Sequence, residues 1–308
     1  MNEQLFNRSY ILDLGAPKKT ASMRYTNIDS GNGKNSALRI AFEIEKNTLG
    51  SSSNHSKIAI YNLSTESRQK IVKGWSLQLQ AGYDGAVGTI FVGNVFNVKS
   101  ERKGADIITV LECLDGGSAI SYGTFDKSYG KGTPLYQILQ DVAKAMSLTS
   151  DTNPSGVNAG VVIGLPDFKI GYSFTAIGAC KDTLDKLLKP LGLGWSVQNG
   201  ALTILPQTSH SGQAILMSST SGMIGVPSFN NDLLSFKSLL NPKVIPNALI
   251  KMVSENVALN GFYKINLAKY EGDTHENKWN INCEAFKVGN ISQAYPASSG
   301  YDFSKAVV

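Results

Sequence analysis

Three cysteines and three histidines are the residues from which a zinc site or a thiol–imidazole pair would have to be built. Cys113, Cys180 and Cys283 lie 67 and 103 residues apart with no Cys-x-x-Cys pair, and His55, His210 and His275 are scattered. Tetrahedral zinc needs its ligands in closely spaced pairs, so no metal is expected. Each cysteine sits in an apolar pattern and reads as a small buried hydrophobe of a reducing compartment. The histidines fall in polar, turn-like stretches and are expected on the surface. Gly123 followed by Gly130-Lys131-Gly132-Thr133 imitates a phosphate loop, but six residues separate Gly123 from Gly130 and Gly132 parts Lys131 from Thr133. The phosphate loop needs four residues in that gap and a Lys directly before Ser or Thr. Gly31-Asn32-Gly33-Lys34 is followed by no helix pattern, and Gly171-Tyr172-Ser173-Phe174-Thr175 lacks the second glycine of a nucleophile elbow. Asp182 and Asp185 read as the solvent face of a helix. No catalytic site and no cofactor are expected, and the protein reads as a non-enzyme.

Two other stretches stand out as contact surfaces. Gly222-Met223-Ile224-Gly225-Val226-Pro227 combines apolar residues with the punctuation of a turn, since glycine supplies positive φ and proline fixes its own φ. From Asn290 to Val308 the chain is polar, with Tyr295, Pro296, Tyr301 and Phe303 as isolated anchors, and looks like a tail that orders on a partner.

The chain that must position these stretches is 308 residues long and 42% apolar, enough for a packed core. Charged residues are 17%, below the roughly 25% of soluble domains. Glycine, serine and asparagine, 30, 33 and 24 residues, take their place and predict many turns between short strands. The net charge is +5, and all five arginines (Arg8, Arg24, Arg39, Arg68, Arg102) fall in the first third. Bidentate readers of nucleic acid cluster arginine, so no specific nucleic-acid recognition is expected. The amino terminus carries Glu3, Arg8 and Asp13 where a signal peptide would be apolar, and the apolar run Ala159–Pro166 is too short to span a bilayer. Synthesis in the cytoplasm, with no membrane entry by the chain itself, is the expectation.

Within a first domain of residues 1–121, the sequence from Ser9 to Asp115 alternates with period two. Leu38, Ile40, Phe42 and Ile44 share one face, and runs follow at Lys57–Leu63, Trp75–Ala81, Thr89–Val98 and Asp106–Leu114. Ser64 should cap a short helix over Thr65–Val72. Residues 122–206 change character. Thr133 should cap a helix opening at Pro134 with a stripe of Leu135, Ile138, Leu139, Val142 and Met146. A second helix is expected over Thr175–Lys189, with Ile177, Cys180, Leu184, Leu187 and Leu188 on one face, then a hairpin turning at Asn199-Gly200. Residues 207–289 return to strands at Gln213–Ser218, Leu233–Leu240, Ala248–Val253, Gly261–Tyr270 and Lys278–Lys287, and residues 290–308 form the tail. The fold class is mainly β with a small α+β module: two barrel-like β domains flanking a helix–helix–hairpin domain. A weak repeat links the outer regions. Gly93–Val98 with Ile107–Leu114 resembles Gly261–Leu267 with Trp279–Phe286, and each copy ends with adjacent Glu and Cys, Glu112-Cys113 and Cys283-Glu284.

The order of motifs carries a resemblance. Ser221-Gly222-Met223-Ile224-Gly225-Val226-Pro227, a strand into Leu239-Leu240-Asn241-Pro242, Gly261-Phe262-Tyr263, Gly272-Asp273-Thr274 and the Trp279 strand follow one another. This order resembles the third domain of baseplate hub proteins of contractile-tailed bacteriophages, the late control protein D-like group. Ile60-Tyr61-Asn62-Leu63-Ser64 is similar to their amino-terminal barrel, and the module ending Gly194-Trp195-Ser196-Val197 to their middle domain. The likeness spans about residues 5–288, and the tail matches nothing. It implies a virion protein of the tail baseplate, a homotrimer forming a pseudo-sixfold ring. The tail tube protein would bind on one side, the spike protein on the other, and neighbouring baseplate proteins around it. A carbohydrate-binding β-rich module stays open as the alternative, with Trp75, Trp195 and Trp279 as stacking platforms.

Overall fold

Period-two alternation becomes strand along both outer regions of the chain. A computed structural model describes residues 7–16, 23–28, 37–48, 53–148, 157–158, 162–163, 168–206, 210–230, 232–288 and 301–302. The first region holds β1 (Arg8–Gly15), β2 (Met23–Thr26), β3 (Ile40–Asn47), β4 (Asn54–Tyr61), β5 (Ser76–Tyr83), β6 (Ala86–Lys103) and β7 (Asp106–Asp115). In β3, Ile40, Phe42 and Ile44 face the core while Glu43 faces water, as side chains on alternate sides of a pleat must. Between β4 and β5 lies α1 (Thr65–Lys70), whose Ser64 hydroxyl accepts the Ser67 N–H at 3.1 Å as an N-cap. His55, expected in a turn, is an exposed residue of β4.

The middle region holds α2 (Gly117–Tyr122), β8 (Thr124–Tyr129), α3 (Leu135–Ala145), the two-residue β9 (Val157–Asn158) and β10 (Val162–Ile163), β11 (Phe174–Ala179), α4 (Cys180–Leu188), β12 (Leu193–Gln198) and β13 (Ala201–Pro206). Then follow β14 (Ser211–Met217), β15 (Met223–Asn230), β16 (Leu233–Leu239), β17 (Ala248–Met252), β18 (Gly261–Asp273), β19 (Trp279–Lys287) and β20 (Tyr301–Asp302). The chain is mainly β, as expected. Contacts divide it into two units: Met1–Lys46, Asn54–Asp115 and Ala214–Lys287 form one, and Asn47–Ser53, Gly116–Gln213 and Val288–Val308 the other.

In the second unit, β12 and β13 form the expected hairpin, with both turn residues, Asn199 and Gly200, at positive φ (52° and 76°). Helix α3 buries Leu135, Ile138, Leu139 and Val142. It starts after Pro134 without a side-chain cap, because the Thr133 hydroxyl donates instead to the Gly130 carbonyl at 2.8 Å. The helix expected from Thr175 begins only at Cys180. Phe174–Ala179 pairs with β8, and Ile177, expected on the apolar helix face, is exposed. Thr175 and Ile177 are β-branched and suit a strand, and Gly178 sits at φ +109° just ahead of the helix. Asp185 is not simply a solubility residue, since it accepts the Trp195 indole N–H at 2.8 Å and ties α4 to β12.

The first unit contains one sheet of thirteen described strands. Its path runs β2-β1-β5-β6-β7-β4-β3-β18-β19-β16-β15, with β17 on β18 and β14 on β17. The path has two ends and does not close among the described strands. The outer regions, expected as two barrel-like domains, thus share one sheet and one hydrophobic core.

Within that sheet the connectivity occurs twice. In chain order, β1, β3, β4, β5, β6 and β7 take the spatial order β1-β5-β6-β7-β4-β3. The strands β14, β15, β16, β17, β18 and β19 take the corresponding order β14-β17-β18-β19-β16-β15. Both long hairpins carry a β-bulge at the same place. On β6 the extra residue, Phe96, lies between the pairs Val95–Cys113 and Asn97–Glu112. On β18 it is Asn266, between Ile265–Ala285 and Leu267–Glu284. The repeat read from sequence is therefore a duplicated six-strand set, with Glu112 equivalent to Glu284.

The two copies join where β3 meets β18. The Thr274 N–H donates to the Ile40 carbonyl at 3.0 Å. The Phe42 ring occupies the space beside Gly272, where an added Cβ would lie 2.2 Å from the ring, and it meets Trp279 edge-on at 5.3 Å between centroids. Arg39 donates to both Asp273 carboxylate oxygens, at 3.2 and 2.9 Å, and to Glu276. Burial works against the Asp273 charge, yet the Arg39 bond and the His275 and Glu276 N–H groups hold its carboxyl below the usual range. Gly272→Ala is expected to cost about 2 kcal/mol by overpacking Phe42. Gly130→Ala, whose methyl meets nothing within 4 Å, should cost little; urea midpoints of the two variants check this.

Candidate partner interface

The segment singled out by sequence forms the last strand of the sheet. Ser218 and Ser221 build the turn ahead of it: the Ser218 N–H donates to the Ser221 hydroxyl at 2.8 Å, and the Met223 N–H to the Ser218 carbonyl at 3.0 Å. Gly222, at φ +100°, then turns the chain into β15, and its carbonyl accepts the Leu239 N–H at 2.8 Å. Met223 and Ile224 pair with Ser238 and Lys237, and Ser228 resumes the ladder opposite Ser235. Gly225, Val226 and Pro227 thus bulge opposite Phe236 alone. Gly225 takes φ +72°, which suits glycine. Proline, which has no N–H to give, is confined in sheets to bulges and edges.

The bulge sorts side chains by role. Met223 packs against the core and Pro227 is buried. Ile224, Val226 and Phe229 are 39%, 71% and 45% exposed. Among the described residues the outer edge of β15 has no strand partner. An unpaired, uncharged strand with three exposed large apolar residues is a pairing template. The structure places Gly222 at the turn into β15 and Met223, Ile224, Gly225 and Pro227 along that strand, where Ile224 and Gly225 are exposed while Met223 packs on the core and Pro227 is buried. Tyr301 lies in β20, which pairs in parallel with β10 in the other unit. Tyr295, Pro296 and Phe303 lie outside the described residues.

A second open edge escaped the sequence reading. β5 accompanies β6 only as far as Asn94, and Val95 bonds to Gly74 and Trp75 just beyond it. From Asn97 to Lys103, β6 is paired with β7 alone among the described residues. The signal available was length: the alternation of β6 outruns that of β5.

Among the described residues no group of three or more His, Cys, Asp or Glu is placed to hold a metal. Burial raises all three thiols, that of Cys113 to about 12, so they are poor nucleophiles. Lys46 is wholly buried, and burial lowers its ammonium to about 8 against the pull of Asp115. It donates to the Ile90 carbonyl at 3.4 Å inside the sheet. Trp195 and Trp279 are buried, and the Trp279 indole N–H donates to the Gly82 carbonyl at 3.0 Å. No helix is long and apolar enough to cross a membrane among the described residues.

Gly225→Ala should cost about 1 kcal/mol, because alanine in the left-handed region is strained. Val226→Asp, at an exposed site, should change stability by less than about 0.5 kcal/mol. Denaturant titration of both variants separates the bulge's scaffold from its surface.

The family model described as "Baseplate hub gp41" matches residues 23–285. The 43 kDa tail protein of prophage MuSo2 from Shewanella oneidensis has a similar structure, with a TM-score of 0.63 at 11% identity, covering 91% of this chain and 97% of that one. A tail protein from Neisseria meningitidis MC58 gives 0.58 at 9% identity over 96% and 100% of the two chains. The E. coli c3393 protein, a type VI secretion component described as structurally similar to T4 tail proteins gp27 and gp5, gives 0.57 at 11% identity over 88% and 78%. No curated protein sequence matches at a significant level.

Proposed function

The chain belongs to the baseplate hub gp41 family, and from that premise we propose that it is a non-enzymatic hub whose product is a shape. Three copies form a ring between a six-fold tail tube and a three-fold spike. The observation that carries this reading is the duplicated six-strand set, β1-β5-β6-β7-β4-β3 and β14-β17-β18-β19-β16-β15. A chain with one such set would repeat three times in a trimer. With two sets it presents six similar wall segments, and so adapts one symmetry to the other. Each set supplies one barrel-like segment of the wall. The module of residues 122–206 braces the ring or reaches neighbouring baseplate proteins. The β15 surface with Gly222, Met223, Ile224, Gly225 and Pro227 is a subunit contact. The tail of residues 290–308, with Tyr295, Pro296, Tyr301 and Phe303, faces the spike. The sugar-binding alternative loses support, because two of its three tryptophans serve the interior.

Native mass at micromolar concentration, with electron micrographs of the same fraction, tests the ring. Trimers with an open centre are expected; closed dimers or filaments would overturn it. Deletion of residues 290–308 should leave the unfolding midpoint unchanged and abolish capture of the spike, and unfolding on deletion would contradict the tail's assignment.

A further inference from the structure

The internal junction between the two copies has a counterpart that the single chain leaves open. β17 occupies the outer edge of β18 over Gly261–Lys264, and the Asn247 N–H takes the Ile265 carbonyl at 2.8 Å. β3 takes the edge beyond, up to Thr274. In the first copy β5 takes the equivalent start of β6, and the rest of that edge, Asn97–Lys103, has no strand partner among the described residues. Counted from the bulges, Asn97–Lys103 corresponds residue for residue to Leu267–Asp273. The strand equivalent to β3 is β15, whose outer edge also has no strand partner among the described residues. Through the ladders of β4 and β16, Ile40 matches Met223, Ala41 matches Ile224, and Ile44 matches Phe229.

Burial records the difference between a made and an unmade contact. Ile44 is fully buried in β3, whereas its equivalent Phe229 is 45% exposed. On the other side Ala268 and Tyr270 are fully buried, whereas their equivalents Val98 and Ser100 are half-buried and exposed. The chain carries one copy of a strand-to-strand junction complete and both halves of a second copy apart.

We propose that the outer edge of β15 in one molecule pairs with the Asn97–Lys103 edge of β6 in a second molecule of this chain, repeating between chains the internal junction of β3 with β18. This rests on the ring reading above and names the contact that would close it. The contact is heterologous, so one molecule offers β15 and its neighbour β6, and successive copies propagate until the rotation closes. Backbone N–H and C=O groups left open at the two edges satisfy one another. Ile224, Val226 and Phe229 leave water against the neighbour. The bulge and Pro227 interrupt the ladder in mid-strand, which hinders pairing in other registers.

In the internal junction Ala41 lies between Ile40, bonded to Thr274, and Phe42, packed on Gly272, and so falls level with Asp273. The equivalent neighbours between chains are Ile224 and Lys103. The test is the full chain carrying Ile224→Cys with Lys103→Cys or with Arg102→Cys, oxidised and run without reductant. The native cysteines are buried and stay out of the reaction. Covalent dimers and trimers from the double variants, absent from each single variant, are expected. For the unsubstituted chain, amide exchange over residues 97–103 and 223–230 should slow about tenfold or more in the assembled fraction relative to the monomer. A ring fraction showing neither the cross-link nor the protection overturns this pairing and leaves the ring intact. A chain that stays monomeric at every concentration overturns the ring and the pairing together.

Discussion

The space beside Gly272 is what the first unit depends on. Phe42 fills it, packs on Trp279 and brings β3 onto the outer half of β18. With a side chain at residue 272 the ring would have to shift, and the join between the two six-strand sets would be overpacked at that point. Arg39 closes the same junction by a bidentate bond to Asp273, a geometry that arginine's planar fork suits. Buried carboxylates are costly unless paired, so this pair fixes where β3 may start as much as it stabilises the join. One glycine, one aromatic ring and one ion pair thereby turn two similar sets of strands into a single open sheet with a common core.

The same constraint sets up the functional reading. A duplication that joined its copies symmetrically would leave a closed, finished molecule. Here the join uses β3 of the first copy and β18 of the second, and their equivalents β15 and β6 remain at open edges. The proposed interchain contact differs in chemistry from the internal one. At the positions of Arg39 and Asp273 it has Gly222 and Lys103, so it lacks the ion pair.

Much of the fold was legible in the sequence because the signals were local. Alternation gave the strands of both outer regions, Ser64 gave the cap of α1, and Asn199-Gly200 gave the hairpin of β12 and β13. The repeat was legible only in part: Glu112 and Glu284 are equivalent, but the cysteines beside them are not, since the bulges that align the copies leave little trace in residue type. The helix expected from Thr175 starts only at Cys180 because Ile177 fits the helical stripe but, like Thr175, is β-branched and suits a strand, and pairing with β8 decided for the strand. The open edges were the least legible feature. Gly222, Gly225 and Pro227 announce irregular backbone, but an edge is defined by the partner that is missing, and a pattern along one strand carries no record of its neighbours.

The central claim is that the duplicated strand sets make a six-segment wall from three chains. A single-particle map of the assembled ring, reconstructed with threefold symmetry alone, tests it through its rotational self-correlation. The account predicts a second strong peak at a rotation of about 60°, where each copy of the set superposes on the other. A map whose only peak lies at about 120°, with three separate wall segments, would contradict it.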